Sequence, residues 1–103
     1  MEKKVTEKQI FIGGLLVKVF EKTGKGATCY QILKDFKKDL EEKKIDTTKI
    51  NSVNATLASL ATKELVTKTK VAYNDKMVTL YTLNEKGLEF FKNLLNKDTK
   101  EEN

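Results

Sequence analysis

The side chains with the clearest potential for chemistry lie between positions 48 and 56, in the stretch TKINSVNAT. Four aliphatic residues recur here at helical spacing and predict the buried stripe of a helix: Ile50, Val53, Leu57 and Leu60. Rotation by about 100° per residue then turns a set of small or polar side chains outward: Asn51, Ser52, Ala55, Ser59 and Thr62. Lys49 and Thr56 flank this surface on one side, and Asn54 flanks it on the other.

These residue types match the chemistry of base edges in DNA. An asparagine amide can make two hydrogen bonds to adenine, a lysine can reach guanine, and an alanine or threonine methyl group can touch thymine. Small side chains also let the helix backbone approach a duplex closely. The DNA-contacting candidates on this helix are therefore Thr48, Lys49, Asn51, Ser52, Asn54, Ala55 and Thr56. The alternative interpretation is an exposed, weakly polar helix side that binds nothing.

Lysines continue the pattern beyond this helix. Four of them lie on or near a β-hairpin predicted from about residue 65 to residue 83: Lys63, Lys68, Lys70 and Lys76. Lysines at these positions would meet phosphates and supply salt-dependent affinity that does not depend on sequence. We take Lys68, Lys70 and Lys76 as phosphate-contacting candidates. The alternative is protection of a strand edge, for which proteins also use lysine.

The sequence lacks the residues that most enzymatic chemistry needs. It has no histidine, a single cysteine, and no pair of carboxylates that the pattern places in a pocket. The segment GKGAT, residues 24–28, does not have the spacing of a phosphate-binding loop. Cys29 is more typical of a small buried apolar residue than of a redox sensor. We therefore predict neither catalysis nor a metal or other cofactor.

Composition favours one small domain with an anionic partner. The 103 residues carry a formal net charge of +5, and all 20 basic residues are lysines. A basic protein suits nucleic acid, although a lysine-rich, arginine-free chain also suits an AT-rich genome. No apolar run approaches the ~20 residues of a transmembrane helix, and the single cysteine fits a reducing cytosol. We expect one domain over residues 1–103, ordered from about residue 6 to 97, in the cytoplasm and on the nucleoid when bound, without a membrane partner.

Three helices are predicted before the hairpin. Thr6 and Gln9 have the spacing of a capping box, so a helix should occupy residues 7–22. A second box of the same kind should start a helix over residues 29–43. The third helix should begin near residues 46–48 and end around Lys63.

The hairpin and a final helix complete the predicted order. Asn74 and Asp75 tolerate positive φ and separate two segments rich in β-branched and aromatic residues. Asn84 then offers a side-chain oxygen to cap a helix that should run from Glu85 to about Leu95. The tail NKDTKEEN is expected to fray. The fold class is therefore mainly α with a small β-hairpin.

Three stretches resemble one family of regulators. CYQILKDF, from Cys29, is similar to the start of the second helix in PadR-type regulators, and VNATLASLATKELV, from Val53, is similar to their third helix. LYTLNEKGLEFF, from Leu80, resembles the element that closes the wing in PadR-like and, more loosely, MarR-like proteins. The resemblance covers about residues 10–95 and implies a winged helix-turn-helix. In such proteins glycine is usual at the position that Glu64 occupies here.

The resemblance also implies how two chains would associate. In this type of protein the terminal helix commonly packs on the first helix and builds a dimer. The helix over residues 10–20 is apolar almost all round, and the last helix carries a wide apolar band, so the apolar surface of both helices must be buried against other residues. The predicted homodimer interface comprises Ile10, Phe11, Leu15, Leu88, Phe91, Leu94 and Leu95. The gap between these helices is a common site for a small-molecule effector in related regulators, and no effector is identified by the sequence.

Three functions fit these expectations. The first is a homodimeric, sequence-specific, double-stranded DNA-binding protein that represses transcription in a bacterium, plasmid or phage. The second is a plasmid-partition or replication-organising protein of the same fold. The third is a winged helix that makes only protein contacts. A salt-dependent gel shift with duplex DNA would separate the third from the others.

Overall fold

The computed structural model describes the backbone of residues 5–101 and the side chains of residues 5–94. Five helices and a three-stranded antiparallel sheet follow one another in this part of the chain. Their order is α1 (Glu7–Thr23), β1 (Ala27–Thr28), α2 (Cys29–Asp35), α3 (Lys37–Glu42), α4 (Ile50–Thr62), β2 (Val66–Tyr73), β3 (Lys76–Leu83) and α5 (Glu85–Glu101). The predicted class, mainly helical with a β-hairpin, is confirmed.

The two helices with capping boxes begin where the sequence predicts. Thr6 accepts a hydrogen bond from the Gln9 backbone N–H at 3.1 Å, and the Gln9 side chain accepts one from the Thr6 N–H at 2.9 Å. Thr28 and Gln31 repeat this exchange at the start of α2. α1 ends at Gly24, whose φ of 72° lies in the left-handed region that glycine adopts freely.

The single helix predicted over residues 29–43 is wrong, because the chain breaks at Phe36 into α2 and α3. Phe36 has φ −119° and ψ 26°, outside the helical range. A straight helix would place Ile32 and Leu40 about 80° apart around its axis. Both side chains are fully buried, so the break lets each short helix turn its own apolar side to the core.

α4 begins at Ile50, slightly later than predicted, and its first residue does not join the core. Ile50 is 49% exposed, whereas Val53, Leu57 and Leu60 are completely buried. The prediction that Ile50 belongs to the buried stripe is therefore wrong, since the start of the helix projects past the residues that cover the rest of it. At the other end, Glu64 adopts a φ of 63° and lets the Leu65 N–H donate to the Leu60 carbonyl at 3.0 Å.

The hairpin has the predicted turn and one additional strand. β2 and β3 pair from Val66 opposite Leu83 to Tyr73 opposite Lys76. Asn74 and Asp75 connect them with φ values of 49° and 61°, as the sequence predicts. β1 pairs with the other edge of β3 and gives the strand order β1-β3-β2, which the sequence analysis did not predict.

α5 closes the core against α1 and the base of the hairpin. The Gly87 N–H donates to the Asn84 side chain at 2.8 Å, which confirms the predicted cap. A side chain at Gly87 would collide with the Leu65 carbonyl oxygen, and one at Gly13 would collide with the ring of Phe91. α5 continues to Glu101, past the predicted end near residue 95. No helix in the described part of the chain is long and apolar enough to cross a membrane.

Candidate nucleic-acid interface

The outer side of α4 exposes part of the predicted set of polar side chains. Lys49, Asn51 and Ala55 are exposed, and Thr62 lies at the far end of the helix. The Asn51 amide makes no hydrogen bond with another described residue. Asn51 and Ala55 lie opposite the buried stripe, and Lys49 precedes the helix as its extended N-cap residue, so their amide, methyl and ammonium groups are available to a ligand that lies along the start of the helix.

The segment leading into α4 is held by its own hydrogen bonds. The Thr48 hydroxyl and backbone N–H donate to the Asp46 carboxylate at 2.6 and 2.9 Å, and these bonds lower the pKa of Asp46. The Ser52 hydroxyl lies 3.0 Å from the Asp46 carbonyl oxygen and 3.1 Å from that of Lys49. Thr48 and Ser52, both predicted to contact DNA, are thus engaged in fixing the start of the helix. The Asp-x-Thr spacing was a signal for this turn that the sequence analysis missed.

Thr56 does not reach the surface. It is 7% exposed, and its hydroxyl donates to the Ser52 carbonyl oxygen at 3.2 Å. Its neighbour Ser59 accepts a hydrogen bond from the Gln9 side chain at 2.7 Å, which ties α4 to α1. The assignment of Thr56 as a DNA-contacting residue is therefore corrected, because its side chain faces the fold.

Asn54 connects α4 to the sheet. The Tyr81 hydroxyl donates to the Asn54 side-chain oxygen at 3.0 Å. Tyr81 is 3% exposed, and burial raises its pKa, so the phenol keeps the proton that it donates. Sequence spacing on one helix could not reveal this contact, because its two residues belong to separate elements.

The three candidate lysines of the hairpin are exposed but do not share one face. Lys68 pairs with Tyr81 and Lys70 pairs with Thr79, so both lie on the face from which Tyr81 reaches α4. The Lys70 ammonium also donates to the Thr79 hydroxyl at 3.0 Å. Lys76 pairs with Tyr73 and alternates onto the opposite face, next to the turn. Lys68 and Lys70 are therefore the two that lie on the sheet face that contacts α4.

The predicted interface on α1 and α5 divides into buried and half-buried residues. Leu15 and Phe91 are 2% and 1% exposed within a single chain, so they belong to its core and offer a partner almost no surface. A further four candidates are half-buried: Ile10, Phe11, Leu88 and Leu94. Leu95 was also predicted here, and its side chain lies outside those that the structure describes.

Phe91 also occupies part of the predicted effector gap. Its ring rests on Gly13 where α5 crosses α1, so this part of the space between the helices is filled. A cleft of about 720 Å³ opens instead between the second half of α1, β1 and α2. Its lining includes Lys18, Lys22 and Lys25. Within the described residues, no group of three or more His, Cys, Asp or Glu side chains is placed to hold a metal ion.

Solved structures share this arrangement of elements. Lactococcus lactis ZitR, described as a zinc-responsive MarR family member, matches with a TM-score of 0.61 and 22% identity over 97% of this chain and 58% of its own. The smu.1704 protein from Streptococcus mutans UA159 matches with a TM-score of 0.64 and 15% identity over 99% and 87% of the two chains. A PadR family transcriptional regulator from Eggerthella lenta DSM 2243 gives 0.57 and 18% over 82% and 71%.

These matches decide the architecture. The chain has a winged-helix fold. In it, α2 to α4 form the helix-turn-helix with α4 in the position of the recognition helix, and β2 and β3 form the wing. The expected winged-helix fold is confirmed, and the structures that share it include a MarR family member and a PadR family regulator.

The winged-helix unit accounts for only part of the ZitR chains. This chain spans a little over half of their length. No family model and no curated protein matches its sequence. The fold is therefore established by structure, and the residues on α4 and the wing must carry any argument about what it binds.

Proposed function

We propose that this winged-helix protein is a homodimeric, sequence-specific, double-stranded DNA-binding transcription regulator that acts as a repressor. The observation that supports this most directly is the common position of two features. The recognition helix exposes Asn51 and Ala55, and the wing presents Lys68 and Lys70 on the sheet face that contacts this helix. The candidate base-reading groups thus lie on α4, and the candidate phosphate-binding groups lie on the sheet face that contacts it.

This arrangement divides recognition between the helix and the wing. The start of a recognition helix enters the major groove, so Asn51 in the first turn of α4 would meet base edges. Lys68 and Lys70 would meet phosphates and fix the orientation of the helix. Lys49, just before α4, adds a positive charge near the helix start. The chain has no arginine, the most frequent reader of guanine, so asparagine and lysine are the residues proposed here for hydrogen bonds to bases.

A homodimer would present two recognition helices to two half-sites. The half-buried apolar residues Ile10 and Phe11 on α1 and Leu88 and Leu94 on α5 supply the surface proposed for association. Burying a side chain of this kind stabilises a complex by about 1.5–3 kcal/mol at most. Occupation of a palindrome by such a dimer would block access to an overlapping promoter. The regulators among the matched structures are consistent with this role.

The proposal is tested by selecting bound sequences from random duplex DNA. The protein is then titrated against the best site and against a scrambled site at one salt concentration. Asn51→Ala should weaken binding to the selected site by ~1–3 kcal/mol and binding to the scrambled site much less. Equal losses on both duplexes would show that Asn51 reads no base. Cooperative filling of repeated sites would instead favour a partition or replication role.

A charge-matched comparison tests the wing. Lys68→Ala with Lys70→Ala should weaken binding to all duplexes and flatten the log–log salt dependence by about 0.9 per lost phosphate contact. Lys18→Ala with Lys22→Ala removes the same charge from exposed positions on α1, outside the helix-turn-helix and the wing, and should leave the slope unchanged. Equal slopes for the two double variants would place the wing away from DNA. Sedimentation should give twice the chain mass of 11.7 kDa, and a monomer at micromolar concentration would refute the dimer.

A further inference from the structure

The Asn54 side chain is oriented by a residue from another element. Its amide oxygen accepts the hydrogen bond from the Tyr81 hydroxyl at 3.0 Å. Tyr81 is itself fixed, because it is buried in β3 between the partner residues Ala27 on β1 and Lys68 on β2. The oxygen side of the amide is therefore directed towards the sheet.

The nitrogen side of the same amide is left for solvent. The Asn54 nitrogen donates to no other described residue, and the described residues contain no buried side-chain nitrogen or oxygen without a partner. Asn54 is half-buried, so this nitrogen reaches solvent at the surface of α4, on the turn after Asn51. Because the oxygen of this planar amide is turned towards Tyr81 on the sheet, the amide presents its two N–H donors, and not its oxygen, on the solvent side.

We propose that Tyr81 acts as a positioning residue that makes Asn54 a donor-only contact to an acceptor on DNA. This proposal rests on the function proposed above. Adenine recognition by asparagine needs both the oxygen and the nitrogen of the amide, so the Asn54 held by Tyr81 is not an adenine reader. Its N–H groups suit guanine N7 or O6, thymine O4, or a phosphate oxygen. Asn51, whose amide is unengaged by the described residues, keeps the two-sided chemistry.

Asn54→Asp is the most informative substitution, because it preserves shape and reverses the hydrogen-bonding character of the outer atom. The carboxylate can still accept the Tyr81 hydrogen bond, but it turns an oxygen towards the acceptor on DNA. Asn54→Ala should weaken binding by about tenfold through loss of one or two hydrogen bonds. Asn54→Asp should weaken it by at least a further tenfold, since like polarity across an interface is repelled. Asn93→Asp on α5 has an exposed site and makes the same change in net charge, so it serves as the control.

Tyr81→Phe tests the positioning role. Without the hydroxyl the Asn54 amide can rotate, and the preference at one base pair of the selected site should widen to admit adenine. A merely structural contribution of Tyr81 would lower affinity without changing that preference. If Asn54→Ala loses affinity on the selected duplex alone, the acceptor is a base. If it loses affinity equally on the selected and scrambled duplexes, the acceptor is a phosphate.

The outcomes separate this inference from the function on which it rests. Titration of the wild type, Asn54→Ala, Asn54→Asp and Tyr81→Phe on both duplexes is expected to give the order and the change of preference described above. If the wild type binds no duplex DNA, both proposals are overturned. If the wild type binds and Asn54→Asp equals Asn54→Ala, only the donor-only assignment is overturned. The same holds if Asn54→Ala loses affinity on the selected duplex alone, which assigns the acceptor to a base, and Tyr81→Phe then leaves the base preference unchanged.

Discussion

Gly13 and Gly14 are neighbours on α1, yet the same substitution should have opposite effects at the two positions. A methyl group added to Gly13 would overlap the ring of Phe91, whereas one added to Gly14 meets no atom within 4 Å. Phe91 is 1% exposed and cannot move aside without disturbing the core. Alanine favours a helix over glycine by about 1 kcal/mol, and this gain is common to both variants.

The difference between the two variants therefore measures the cost of overpacking, about 1–3 kcal/mol. For a chain of this size 1 kcal/mol corresponds to about 4–8 °C in Tm. Gly14→Ala should melt above the wild type, and Gly13→Ala should melt at least about 4 °C below Gly14→Ala. Thermal unfolding followed by circular dichroism at two protein concentrations measures both values and shows whether association contributes to either.

Replacement of Phe91 by leucine provides the control for this comparison. Leucine is smaller than phenylalanine, so Gly13→Ala should cost less in a Phe91→Leu background than in the wild type. Equal melting temperatures for the two glycine variants would refute the packing of α5 on α1 described above. A penalty for Gly13→Ala that is unchanged in the Phe91→Leu background would place the clash elsewhere.

Three further predictions concern stability. Glu64→Gly should raise the free energy of unfolding measured in urea by about 1 kcal/mol, because Glu64 holds a positive φ that glycine adopts without strain. A lower free energy of unfolding in the variant would show that the Glu64 side chain stabilises the fold by more than its backbone conformation costs. Phe91→Ala should lower the free energy of unfolding by about 3–5 kcal/mol, and Phe90→Ala should lower it by clearly less, although both variants lose the same edge-to-face ring pair. Similar losses for the two variants would contradict the difference in burial between Phe91 and Phe90. Burial raises the pKa of the Cys29 thiol from 9.0 to about 11, so the thiol ionises first in the unfolded chain, and the free energy of unfolding should fall as pH rises from 9 to 11. Cys29→Ala should make the fall of the urea midpoint over this pH range shallower, and a pH profile identical to that of the wild type would contradict the prediction.

The sequence predicted those elements whose determinants are local. Both capping boxes act within four residues, and the turn at Asn74 and Asp75 depends on the φ preferences of those residues alone. The start of α1, the start of α2 and the turn of the hairpin were therefore predictable. The break at Phe36 was not, because it depends on where the core lies relative to Ile32 and Leu40, two buried residues that are about two turns apart.

The candidate site was predictable in outline and not in detail. Helical rotation placed Asn51 and Ala55 outward, as the structure has them. Rotation alone could not show that Thr56 is buried or that Tyr81 engages Asn54, since both depend on which neighbouring element covers that side of α4. The exposure of Ile50 has the same origin, because a periodic pattern does not show where the core stops.

The contact between Gly13 and Phe91 joins the first and the last of the described helices, and this affects how the domain is made. Among these elements α1 leaves the ribosome first, with the apolar place for Phe91 uncovered, and α5 leaves it last. The core can close only after α5 has emerged, so the nascent domain exposes apolar surface until then, a condition that invites chaperone binding or aggregation. Products of termination before α5 lack Phe91, keep that surface open, and are suitable substrates for cellular proteases.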